Sequence, residues 1–252
     1  MSLLKLVPTT TFITLLVISY GASASTIKAG CIDKMEPFCY QINGVGKGMI
    51  IDVYEALSDR LGRPINIHIA PVKRAMNYLE SGQYDILMPL LYSPERDKFA
   101  RYLTVPLFSF RSIIFGTKKD YFLFTQISDL WGKKVGVRRG YYMSNEFTQS
   151  VSSGDIEVVY ANSDRQLVGL LAKGRVQYIA TPDHVVVVHR SLLSDQFISY
   201  GYLTETVELR AALSRSGELN DHYTEIDKIL GEMSNDGTLA EIAKRHKIKL
   251  KE

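Results

Sequence analysis

Strand-like and helix-like stretches alternate along the chain, and no Pro/Gly/Ser-rich linker separates them. This alternation restricts the fold most, because strands that each hand over to a helix build layered α/β units rather than a bundle or a sandwich. Ile27 to Cys31 reads as a first short strand. Met49 to Leu61 reads as a helix, with Ile50, Val53, Tyr54, Leu57 and Leu61 at helical spacing and Gly62 as its stop. Ile65 to Ile69 alternates strictly and reads as a strand, so His68 shares the outer face with Asn66. Arg74 to Glu80 reads as a helix ending at Ser81-Gly82. Tyr84 to Leu90, apolar except for Asp85, has the pattern of a buried parallel strand. Ser93-Pro94-Glu95 opens a short helix, with Ser93 as N-cap and Pro94 in the first turn.

The second half repeats the logic. Lys134 to Val137, Ile156 to Tyr160 and Val176 to Ala180 read as strands. Gly140 leads into a helix near Ser144 to Ser150. Ser163-Asp164-Arg165-Gln166 forms a capping box before Leu167, and Thr238-Leu239-Ala240-Glu241 forms another after the turn at Asn235-Asp236-Gly237. The last helix carries Lys244, Arg245 and His246 where cations suit the dipole, which makes His246 a helix-end residue. Two α/β units without a linker imply two lobes joined by short crossing strands, with a ligand cleft between them.

Residues 1–24 read as an export signal. Lys5 supplies the basic start, Phe12 to Tyr20 the apolar stretch, and Ala22-Ser23-Ala24 an A-x-A cleavage site, so the mature chain is expected to begin at Ser25 in the periplasm. The run is shorter than the roughly 20 residues of a membrane span; a retained anchor is the alternative. Ala29-Gly30-Cys31 resembles the end of a lipobox, but Lys28 stands where Leu belongs. Cys31 and Cys39 are the only cysteines. In an oxidising compartment they are expected to form a disulfide, with two separate buried thiols as the alternative; their spacing matches no common zinc pattern. With 30 basic against 27 acidic residues and no Lys/Arg-rich run, nothing points to a nucleic-acid partner.

Arg96 is the most informative local oddity. It stands in the first turn of its helix, where the dipole disfavours a cation, beside backbone N–H groups that point outward. A guanidinium there makes a receptor for a carboxylate; the plainer alternative is a surface arginine paired with Glu95 or Asp97. Arg138 and Arg139 precede Gly140, and alternation turns one toward the cleft and the other away. Arg74 follows Pro71 and is a candidate for the cleft mouth.

The ordered set Gly48-Met-Ile-Ile-Asp52, Leu79-Glu-Ser-Gly82-Gln-Tyr-Asp85, Ser93-Pro-Glu-Arg96, Leu103-Thr-Val-Pro106-Leu-Phe108, Asp129 to Gly140 and Asn235 to Lys244 resembles the extracellular solute-binding proteins of polar amino acid ABC importers. The resemblance covers most of the mature chain and implies the type II periplasmic-binding fold: two α/β lobes joined by crossing hinge strands. Lobe one is then 25–108 with the return segment 205–252, and lobe two is 109–204. The resemblance makes Arg96 the carboxylate receptor. It puts Met35, beside Pro37-Phe38, where the family often has an aromatic stacker, Leu91 where a hydroxyl is usual, and Tyr141 and Tyr142 where Ser or Thr is favoured. The acid that meets an α-ammonium falls on Pro182, with Asp183 one residue late. Tyr141, Tyr142, Phe38 and Met35 suggest an apolar or aromatic ligand body. The expected function is capture of a small carboxylate-bearing ligand (an amino acid or related organic acid) by a monomer that serves an ABC permease and uses no cofactor. Alternatives are a ligand sensor for a membrane signalling receptor, and a dehydratase-type enzyme on the same fold. No Ser-His-Asp set, metal triad or G-x-S-x-G elbow appears.

Overall fold

The computed structural model describes residues 25–141 and 143–248. The expected export signal and Tyr142 lie outside the described residues. The chain opens with β1 (Ile27–Ile32), the hairpin β2 (Tyr40–Ile42) and β3 (Val45–Lys47), α1 (Met49–Leu61), β4 (Ile65–Ala70), α2 (Val72–Glu80), β5 (Ile86–Leu91), α3 (Pro94–Asp97) and the long β6 (Ala100–Phe110). There follow β7 (Ser112–Thr117), β8 (Lys134–Arg138), α4 (Asn145–Ser152), β9 (Glu157–Ala161), α5 (Asp164–Ala172), β10 (Tyr178–Pro182), α6 (Asp183–Val188) and β11 (Phe197–Tyr202). The chain closes with β12 (Val207–Ser214), α7 (Tyr223–Asn235) and α8 (Thr238–Arg245).

These strands form two five-stranded sheets, ordered β4-β1-β5-β12-β6 and β11-β7-β10-β8-β9. Each combines three parallel strands with an antiparallel extension: β12 runs against both β5 and β6, and β7 against both β10 and β11. The fold is therefore the two-lobed α/β arrangement of type II periplasmic-binding proteins. Because β6 stays in the first sheet through Phe110, the chain crosses at Arg111, three residues past Phe108; it returns between Tyr202 and Val207.

Local chemistry explains the elements. The apolar face of α1 buries Met49, Ile50, Val53, Tyr54 and Leu57, and Gly62 ends the helix in the left-handed region at φ 60°. Burying each such aliphatic side chain is worth about 1.5–3 kcal/mol. Tyr54 keeps its hydroxyl satisfied in that core by donating to the Gly30 carbonyl at 2.7 Å. Asp85, the one charge in the apolar run before β5, accepts the Lys28 backbone N–H at 2.7 Å and so holds the start of β1. His68 faces outward, as the alternation requires, and meets the Tyr84 hydroxyl at 2.6 Å. His246 sits at the end of α8 and pairs with Asp52 in the first turn of α1 at 3.0 Å.

Three details differ from the sequence reading. The helix expected from Arg74 begins at Val72, because Pro71 already supplies the non-helical cap. Thr238 is the first helical residue rather than the cap: Gly237 occupies the cap in the left-handed region, and Asp236 accepts the Thr238 N–H at 3.0 Å in its place. At α5, Ser163 caps Gln166 as expected, but the Gln166 side chain reaches back to the Asn162 N–H, one residue early. Cys31 and Cys39 are joined in a disulfide, which removes the thiol that lipidation of Cys31 would need.

Candidate functional site

The carboxyl ends of the parallel strands in both sheets point into one cleft, where open α/β sheets place their ligands. The first sheet delivers Ile32 at the end of β1, Leu90 and Leu91 at the end of β5, and Val72 just after β4. The second delivers Arg138 at the end of β8 and Pro182 at the end of β10, with Gly140, Tyr141 and His184 beside them. The cleft between them has a volume of about 100 Å³. Gly140 lets the chain turn there, at φ 84°, without the left-handed penalty of a side chain.

Arg96 reaches this cleft from α3. Its backbone N–H is taken by the Ser93 hydroxyl at 3.3 Å, so the cap uses one of the backbone donors that the sequence reading left open. What remains is the guanidinium. Its Nη1 donates to the Leu91 carbonyl at 2.8 Å, and Tyr102 donates to the same oxygen at 2.9 Å. The fork is thus held in place by one bond. Neither Glu95 nor Asp97 pairs with it; Asp97 pairs with Arg215 at 3.3 Å. Among the described residues no carboxylate forms an ion pair with Arg96.

Across the cleft, Arg138 is the inward member of the pair before Gly140. Arg139 also borders the cleft but is exposed, with its guanidinium 4.9 Å over the Tyr160 ring. Arg138 is not free: its Nη1 lies 2.7 Å from Asp164 Oδ2 and 2.9 Å from the Tyr141 hydroxyl, and that hydroxyl donates to Asp164 at 2.8 Å. Burial pushes the Asp164 carboxyl up to about 6, although Arg138 and Tyr141 both pull it down. Burial likewise raises the Tyr141 hydroxyl well above its ordinary range. The other oxygen of Asp164 is buried without a hydrogen-bond partner among the described residues.

His184 closes the cleft from α6. Its ring meets Phe38, Phe108 and Phe110 edge-on, at centroid distances of 4.9, 5.1 and 5.9 Å. This apolar cage lowers its pKa to about 3, so the imidazole is neutral.

The expected site residues divide as follows. Arg96, Met35, Leu91 and Tyr141 line the cleft. Met35 is held by the disulfide-closed loop, where its carbonyl accepts the N–H groups of Phe38 and Cys39. Phe38 is fully buried in the first core and backs the cleft through His184 instead of lining it. Arg74 lies exposed on α2, outside the cleft, because the helix starts two residues before it and turns it to solvent. Asp183 does not line the cleft either: its carboxylate accepts the N–H of His184 at 2.8 Å. Sequence reasoning missed His184 and Asp164. Asp164 looked like an ordinary first-turn acid of its helix.

A family model for bacterial extracellular solute-binding proteins, family 3, matches residues 27–248. No curated protein matches the chain by sequence. Among solved structures, an ancestral arginine-binding protein bound to arginine is similar with a TM-score of 0.74 at 22% identity, covering 88% of this chain and 98% of that one. A histidine kinase sensor domain with similarity to periplasmic binding proteins gives 0.73 at 18%, covering 88% and 96%. The GluR0 ligand-binding core in complex with L-glutamate gives 0.73 at 18%, covering 88% and 98%. At these identities the structures speak for the fold alone, whereas the family match spans nearly every described residue: the chain belongs to the bacterial extracellular solute-binding proteins, family 3.

Proposed function

We propose that this chain is a periplasmic receptor that takes a small carboxylate-bearing ligand between its two lobes, 25–108 with 205–252 and 109–204, for delivery to an ABC importer. The observation that carries this reading is Arg96, a half-buried guanidinium in the cleft that forms no ion pair with a carboxylate among the described residues. Ligands named for similar structures, arginine, glutamine and L-glutamate, all bear a carboxylate. Ligand would dock on lobe one through Arg96, and lobe two would close over it. Closure is favoured only by the contacts the ligand adds in the closed state. No Asp or Glu lines the pocket that holds Arg96 among the described residues, while Asp33, Glu36 and Asp164 line a second pocket between the lobes.

Isothermal titration calorimetry of the mature protein, after a thermal-shift screen of amino acids, dicarboxylates and aromatic acids, tests the reading. Arg96→Ala should weaken a ligand so found by roughly 2–5 kcal/mol, since its anion would stay buried and unpaired. Unchanged binding would overturn it. A second reading, a sensor that signals through a membrane receptor, is favoured by the similarity to the histidine kinase sensor domain. Loss of ligand uptake in a deletion strain supports import; intact uptake with a lost transcriptional response supports sensing.

A further inference from the structure

We infer that the ligand is an organic acid with an apolar body and no ammonium group, so that the site discriminates against α-amino acids. This rests on the proposed role of Arg96 and goes further, because it concerns the other end of the ligand.

An ammonium brings three N–H donors and a positive charge, and inside a closed cleft both need acceptors. Charged side chains in the described lining are all cationic: Arg96, Arg138 and Arg139. No acid lines this pocket among the described residues: Asp33 and Glu36 border a neighbouring pocket with Arg165, and Asp183 and Asp164 are committed elsewhere. Asp183 turns back onto its own helix, bonding the His184 N–H at 2.8 Å. Asp164 stands behind Arg138, whose guanidinium is 2.7 Å from it, so an approaching ammonium would meet a like charge first.

Neutral polar groups offer little more. The Tyr141 hydroxyl already gives its proton to Asp164 and accepts from Arg138. The Leu91 carbonyl already accepts from Arg96 and Tyr102. His184 is held among three phenylalanine rings, with its Nδ1 buried away from the cleft space. Pro182, at the end of β10, has no charge to offer. The remaining wall is apolar: Ile32, Met35, Val72, Leu90, Phe110 and Leu209. Such a surface rewards a hydrocarbon or aromatic body and leaves an ammonium unsolvated.

Matched acids that differ only at the α-position test the inference: 3-phenylpropanoate against L-phenylalanine, and 4-methylpentanoate against L-leucine, titrated calorimetrically into the wild type and Arg96→Ala. The inference expects at least one acid without ammonium to bind about 100-fold or more tightly than its amino acid partner, with that binding lost in Arg96→Ala. If the amino acids bind as well as or better than their partners, and Arg96→Ala abolishes that binding, the inference is overturned while the reading of Arg96 stands. If none of the four acids binds, this inference is overturned. If acids bind equally to both proteins, Arg96 is not the receptor and the proposed function fails with it.

Discussion

Arg138 Nη1 lies 2.7 Å from Asp164 Oδ2, and the two side chains are only 6% and 2% exposed. The pair joins the end of β8 to the start of α5 at the floor of the cleft. Removing one member leaves a buried charge without its counterion, at a cost of about 3–5 kcal/mol. Asp164→Ala or Arg138→Ala should therefore lower stability by that amount in urea unfolding. The double variant Arg138→Met with Asp164→Leu should lose much less than the two single losses combined, giving a large coupling in a double-mutant cycle.

Two cleft groups should give opposite pH dependences. His184 has a folded pKa of about 3 against 6.5 ordinarily, so its contribution is complete above 6.5 and is lost as acid protonates the unfolded chain. The slope is about 1.4 kcal/mol per pH unit. Asp164 is raised from 3.8 to about 6, so its contribution is complete below 3.8 and is lost as pH rises to about 6. From 3.8 to about 6 the two slopes oppose each other. His184→Gln should then unfold more easily with rising pH across that window, relative to wild type. Asp164→Asn should show the reverse, read from chemical unfolding at each pH.

The Cys31–Cys39 disulfide closes a short loop that carries Met35 to the cleft and Phe38 to the core. Its loop entropy is worth about 2–3 kcal/mol. Cys31→Ser with Cys39→Ser should lower stability by that amount, and reduction of the wild type should reproduce the loss.

Gly48 cannot be replaced. It has φ 119°, and an added Cβ would stand 2.4 Å from the Phe38 carbonyl oxygen and 2.8 Å from that of Pro37. Gly48→Ala should cost roughly 2–4 kcal/mol, backbone strain and overlap combined. Gly62→Ala is the control: φ is 60° with open space around it, so only the left-handed penalty of about 1–2 kcal/mol applies. Thermal unfolding of both variants checks the difference.

Elements governed by local chemistry were legible in the sequence. The bounds of α1, its stop at Gly62, the Ser93 cap and the Ser144 helix start all follow from periodicity and caps. The long β6, with β7, β11 and β12, was not resolved strand by strand, because antiparallel partners distant in the chain leave no local period. Arg96 was legible because a cation in a first turn violates a local rule. Asp164 was not: its burial arises from Arg138, 26 positions away, while its own surroundings suit any first-turn acid. Asp183 misled for the opposite reason, since nearness in sequence to the cleft strand does not decide where a carboxylate turns.

The first sheet depends on its latest strand. β12 is inserted between β5 and β6, so Leu213 finds its neighbours at Ile86 and Arg101. A nascent chain that has emerged only as far as β11 holds every strand of the second sheet, yet β6 still has nothing to join it to β5. The second lobe is able to condense during synthesis or translocation, whereas the first must wait for nearly the whole polypeptide. Long-range closure of that kind is slow, and it makes the half that carries Arg96 the last to become competent.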